Sequence, residues 1–385
     1  MQRVIYSEGE YKKCPADYEG NDFEMVKRVR LLLFIAFKNK VIILTYVYYP
    51  DNFACNKSLG STINFNDTND ILVIDTVDPS NKNSLNFLEI SDIHIRGNYM
   101  YLVDAKLNMI LRYDIEPLRV QQALTGWNIK NVRLLDCLQG EGTVRDDIYF
   151  KNPCAICADD ENIYVADKGN GCIKKYTADF DYINTIRNGN FANQEIQTIA
   201  INPYSFTLDD GTKLNPNSLW IFSTTGTSLY VHILNGTRVS YTHRIDKLEM
   251  LKDKYMWDEE FKCVKFSFTD SNYYYICTTK RVYKLHLSKP FYPFASMSYF
   301  KQRMVLSSMV WSRIPYPWHY LPADDIVDDN SKNITWDFRP AATSAEILDN
   351  KSFCLCGVDN YTLISEKDRA QFNGDIILHI GNLYD

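Results

Sequence analysis

Histidine is scarce, with six in 385 residues, and basic charge is in deficit: 42 Lys and Arg stand against 48 Asp and Glu, a formal net charge of −6. Recognition of a phosphate backbone depends on Lys and Arg neutralising phosphates, so nucleic acid is not an expected partner. No apolar stretch of secretory-signal length opens the sequence, and the one membrane-like run, Leu31 to Tyr49, is cut by Lys38-Asn39-Lys40 into pieces too short to span a bilayer. Neither export nor a membrane partner is expected. Also missing are a Gly-x-Ser-x-Gly nucleophile elbow and a phosphate-cradling loop, since Gln139-Gly140-Glu141-Gly142-Thr143 lacks the lysine and the third glycine. The acidic run Asp324 to Asp329 reads as a solvated loop.

The ten cysteines are scattered, and several sit inside apolar strand-like runs, as Cys277 does in Tyr273 to Cys277, so buried free thiols are expected. The hydrophobic fraction of 45% is ample for a large core. That core is built from repeats. Ile90 to Asp104 followed by Ile110 to Asp114 aligns with Pro153 to Asp167 followed by Ile173 to Tyr176, an offset that lays Tyr101 on Tyr164 and Asp104 on Asp167. Weaker copies occur at Gln197–Ile201 with Leu219–Ser223 and Leu229–His232, at Phe261–Phe266 with Tyr273–Cys277 and Val282–Leu285, and at Ile347 with Phe353–Gly357 and Tyr361–Ile364. The apolar runs Leu31–Phe37 and Val41–Tyr49, joined by a polar turn, form a hairpin of a further unit.

Each unit is a set of three or four short strands that cannot bury its faces without neighbours on both sides, and radial closure solves that problem. The expected fold is therefore all-β, a β-propeller of about six blades. The stretch Phe150-Lys151-Asn152-Pro153-Cys154-Ala155-Ile156 and Asn162 to Tyr176, with Ile163-Tyr164-Val165-Ala166-Asp167 at its centre, resembles an NHL repeat. The resemblance is close over 139–187, fair over 88–115 and poor elsewhere. It implies that the turn residues Asp104 and Asp167 bond backbone N–H groups. Ser223 in the third copy departs from that pattern.

The organisation expected is an N-terminal arm or outer strand over 1–24, NHL-like blades over 25–288, an aromatic and proline-rich insertion over 289–340, and a closing blade over 341–385. The insertion carries the partner-binding candidates Phe291, Tyr292, Phe294, Trp311, Tyr316, Trp318, His319 and Tyr320, because rigid rings give contact area at low entropy cost. Partner proteins are expected there, with a glycan as the other possible ligand; filling a gap between blades is the competing role.

Cys154-x-x-Cys157 and His94 are the weak metal candidates, His94 aligning with Cys157 one repeat on. Packed thiols are the expectation, with no cofactor. The function expected is a non-enzymatic scaffold in a larger assembly. An Asn-, Lys-, Ile- and Tyr-rich composition suggests a virion protein of a phage tail or baseplate; failing that, the location is cytoplasmic. The alternative, carried by the NHL resemblance, is a metal-dependent lyase or hydrolase with its site in a central channel.

Overall fold

The computed structural model describes residues 2–11, 26–48, 71–118, 132–140 and 149–187. Beyond these it describes 189, 191, 193–207, 211, 213–225 and 228–246, then 261–266, 273–278, 282–286, 310–314, 341–347, 352–358 and 376–382. Its strands form six larger antiparallel sheets. Sheet 1 holds β1 (Gln2–Tyr11), β2 (Val26–Ala36), β3 (Val41–Tyr48) and β4 (Ile71–Ile74). Sheet 2 holds β5 (Ile90–Arg96), β6 (Tyr99–Asp104), β7 (Met109–Asp114) and β8 (Arg133–Gln139). Sheet 3 holds β9 (Pro153–Ala158), β10 (Asn162–Asp167), β11 (Cys172–Thr177) and β12 (Tyr182–Ile186).

Sheet 4 begins with β13 (Glu195–Asn202). A small ribbon, β14 (Phe206–Thr207) with β15 (Lys213–Leu214), intervenes before β16 (Ser218–Thr224), β17 (Ser228–Asn235) and β18 (Arg238–Asp246) complete the sheet. Sheet 5 has β19 (Phe261–Phe266), β20 (Tyr273–Thr278) and β21 (Val282–His286). Sheet 6 orders β22 (Val310–Ile314), β23 (Ala341–Ile347), β24 (Ser352–Val358) and β25 (Ile376–Asn382) as β22-β25-β24-β23.

Sheets 2, 3 and 4 are covered on both faces, which explains why their second strands read as continuous apolar runs rather than as alternations. Successive residues point to opposite faces of a strand. Met100 and Leu102 therefore enter the core shared with sheet 1, while Tyr101 and Val103 enter the core shared with sheet 3. Likewise Ile163 and Val165 face sheet 2, and Tyr164 and Ala166 face sheet 4. The first strands are neighbours: β5 lies against β9, β9 against β13, β13 against β19 and β19 against β23, while β1 touches both β5 and β23.

The pairing registers expose a repeat finer than the sequence copies. The first strands of sheets 1 to 5 and β23 of sheet 6 each carry a bulge, at Tyr6, Ser91, Cys154, Gln197, Lys262 and Thr343. In sheets 2 to 6 the residue paired just before that bulge is Asp104, Asp167, Ser223, Thr278 or Gly357, the equivalent position of each unit. A second bulge marks the fourth strands of sheets 2, 3 and 4, at Leu135, Ile183 and Ser240. Bulges bend a strand and raise its local twist, and on a fourth strand they also turn the open edge away from pairing with other chains.

Two segments near expected boundaries are strands. Residues 2–11, expected as an arm or an outer strand, form β1 at one edge of sheet 1, pairing with β2 and touching β5 and β23. Val310–Ile314, expected inside a non-blade insertion, forms β22 at the edge of sheet 6, with Trp311 opposite His379. In both places a run of strand length is flanked by polar or proline-rich sequence, which hides its period. The expected hairpin is present as β2 and β3, closed by Phe37 N–H on Lys40 O at 2.8 Å.

Candidate functional site

The chemistry-bearing side chains of sheets 2 to 4 gather where the turn after each second strand meets the approach to the first strand. In sheet 2 the buried Asp104 accepts four backbone N–H groups: Leu88 at 2.8 Å, Glu89 at 3.2 Å, Lys106 at 3.0 Å and Leu107 at 2.9 Å. Four donors satisfy a carboxylate, and the equivalent third-strand residue, Leu111, is apolar.

Sheet 3 solves the same problem with an ion pair. Asp167 accepts the Lys151 N–H and the Asn170 amide, both at 2.8 Å, and Lys174 Nζ lies 3.4 Å away. Both side chains are buried, and the ammonium also donates to Tyr149 O and sits 4.5 Å from the centre of the Phe150 ring. Burial moves the Asp167 carboxyl above its ordinary range despite these donors. The turn is tied down by Gly169 N–H on Lys151 O at 2.7 Å, and a Cβ at Gly169 would strike that carbonyl.

Sheet 4 uses neutral groups. Ser223 stands at the acid position and His232 at the position of Lys174. Gln194 Oε1 accepts from Ser223 Oγ at 2.5 Å and from His232 Nε2 at 2.8 Å, while His232 Nδ1 meets Thr242 Oγ1 at 3.0 Å. Gln194 can accept only if Nε2 carries the proton, so Nδ1 accepts from the threonine hydroxyl. The ring stacks on Tyr230 with centroids 5.9 Å apart, and burial lowers its pKa to about 4.

The predicted metal candidates are divided between two seams. His94 and Cys157 do occupy equivalent positions, opposite Tyr101 and Tyr164, each directed to the next sheet. His94 Nε2 lies 3.3 Å from Ala158 O at the seam between sheets 2 and 3, whereas Cys157 is buried in the core between sheets 3 and 4. Cys154, the bulge residue, meets that same core, and its Sγ lies 3.5 Å from Ile196 O. Its counterpart Ser91 donates to Pro153 O at 3.1 Å, so the bulge residue clasps the next first strand at both seams. Burial pushes the Cys154 thiol up to about 12 and the Cys157 thiol well above its ordinary value, keeping both protonated.

Three features escaped the sequence reading: the Lys174 pair, the Gln194 chain and Arg112. Arg112 binds Asp136 at 2.5 Å, donates to Ala178 O across the seam to sheet 3, and lies between the rings of Tyr99 and Phe180 at 5.1 and 5.5 Å. No sequence motif marks it. Of the partner-binding candidates, Trp311 lies on β22; Phe291, Tyr292, Phe294, Tyr316, Trp318, His319 and Tyr320 lie outside the described residues.

No family model matches the chain, and no curated protein matches it. Among solved structures it is similar to a functionally unknown protein from Desulfotomaculum acetoxidans, at 7% identity and a TM-score of 0.39, covering 86% of this chain and 76% of that one. It is also similar to Kuenenia stuttgartiensis hydrazine synthase, at 10% identity and 0.41, covering 91% and 83%. A third likeness is to the dihydro-heme d1 dehydrogenase NirN in complex with DHE, at 9% identity and 0.32, covering 71% of this chain and 43% of that one. At these scores none bears on what the chain does.

Proposed function

We propose that the chain is a non-enzymatic scaffold, a six-bladed β-propeller that docks into a larger protein assembly such as a phage tail or baseplate. The observation that carries this reading is where the reactive side chains are spent. Asp104, Asp167, Lys174, Arg112, Cys154 and His94 each bind backbone or side chains that hold turns and neighbouring sheets together. The succession of first strands, with β1 touching both β5 and β23, supports the closed ring. The docking element of this reading is the aromatic segment around β22.

Since Val310–Ile314 belongs to sheet 6, the test must leave it intact. A variant with Tyr316, Trp318 and Tyr320 all changed to alanine is compared with the parent by native mass in extracts of the source. The reading predicts that the variant leaves the assembly while keeping its melting temperature within a few degrees. Retention at parental stoichiometry would contradict it.

A further inference from the structure

Sheet 3 and sheet 4 place different chemistry at one structural position. In sheet 3 a buried cation, Lys174, is matched by the buried carboxylate of Asp167. In sheet 4 the basic group is His232, fully buried, and the acid position is filled by Ser223, also fully buried. One polar residue from each part of the sheet joins the chain: Ser223 from β16, Gln194 from the approach to β13, His232 from β17 and Thr242 from β18. Thr242 is exposed, so the chain runs from solvent to the interior.

Among the described residues, the groups placed against the His232 ring, Gln194, Thr242, Phe191 and Tyr230, are neutral. Phe191 lies 5.7 Å away by ring centroids, and Tyr230 stacks on the ring with the Arg244 guanidinium 6.0 Å from the tyrosine centroid. From sheet 3, Cys157 and Tyr164 share the core that Phe191 enters, and Lys175 Nζ lies 5.5 Å from the Tyr164 ring centre. Glu195, next to Gln194 in the chain, is held by Lys168 at 2.5 Å. The acid beside Gln194 is already paired with Lys168, and burial alone lowers the His232 pKa. An unmatched buried charge is among the costliest states a core can hold.

We propose that the Ser223, Gln194, His232 and Thr242 chain is an acid-triggered latch: protonation of His232 opens the seam between sheets 3 and 4. The direction follows from linkage. The closed seam holds the ring neutral, with burial lowering it to about 4, and an opened seam returns it to the ordinary value near 6.5. The closed state binds fewer protons, so its advantage is complete above 6.5, declines as pH falls towards 4, and is lost below that.

The test is amide hydrogen exchange of the full chain from pH 7 to pH 4, corrected for intrinsic rates, comparing peptides from 194–242 with those from 90–114. Protection in 194–242 should fall roughly 100-fold more than in the sheet 2 peptides over that range. Two variants separate the latch from general acid unfolding. Ser223→Asp supplies the missing carboxylate, as in sheet 3, and should hold protection down to pH 4. His232→Leu, the residue type of sheet 2, should give a flat profile. Equal protection of both regions at pH 4 in the parent would overturn the latch, as would a His232→Leu variant that opens like the parent. If Ser223→Asp does not fold at pH 7, the His232→Leu profile decides alone.

Discussion

Asp104, Asp167 and Ser223 show how one position takes three residue solutions according to the donors available. Four backbone N–H groups satisfy Asp104, and the residue at the position of Lys174 is the apolar Leu111. Asp167 has one backbone N–H from Lys151 and one amide from Asn170, and Lys174 supplies the remaining compensation. Removing one partner of a buried pair leaves an uncompensated charge, whereas removing both does not. Lys174→Leu is therefore expected to lower unfolding free energy by about 3–5 kcal/mol, and adding Asp167→Asn to recover more than half of that loss. Urea unfolding of the two variants checks it. A double variant no better than the single one would show that Lys174 acts through its packing on Phe150 instead.

At the scale of the element, the bulged first strand is the recurring part. Its bulge residue reaches the next first strand, Ser91 to Pro153 O and Cys154 to Ile196 O. A serine does this in sheet 2, so Cys154→Ser is expected to change stability by less than about 1 kcal/mol, while Cys154→Ala loses the contact and costs roughly 1–2 kcal/mol. Peptide-resolved alkylation at pH 8 should leave Cys154 and Cys157 unmodified in the folded chain, since burial keeps both thiols protonated. Rapid modification of Cys154 would contradict its role as a clasp.

These elements were only partly legible in the sequence. Tyr101 and Tyr164, with Asp104 and Asp167 ending each run, exposed the repeat because turn acids and doubly buried strands have a composition of their own. The bulges left no such trace, because Ser91, Cys154 and Gln197 share no chemistry and a bulge is a property of pairing. His232 ends the run Leu229–His232 of a weaker repeat copy. Its partners were not visible: Gln194 and Thr242 lie 38 and 10 residues away and meet it only through the sheet register. Cys154-x-x-Cys157 looked like a ligand pair for the opposite reason, since its spacing is local while its surroundings are set by Ile196 and the shared core.

For the whole molecule, the proposal is that the reactive side chains of these sheets are spent on holding the sheets together, leaving the chain to act through the surfaces it presents. The sheets follow one another with their first strands in succession, and the seams between sheets 2 and 3 and between sheets 3 and 4 each carry a polar clasp as well as an apolar core. The most direct measurement is native mass of the protein isolated gently from its source, with metal analysis of the same fraction. The account predicts elution inside a large particle at fixed stoichiometry, with no metal stoichiometric to the chain. A free monomer holding one metal ion per chain would contradict it.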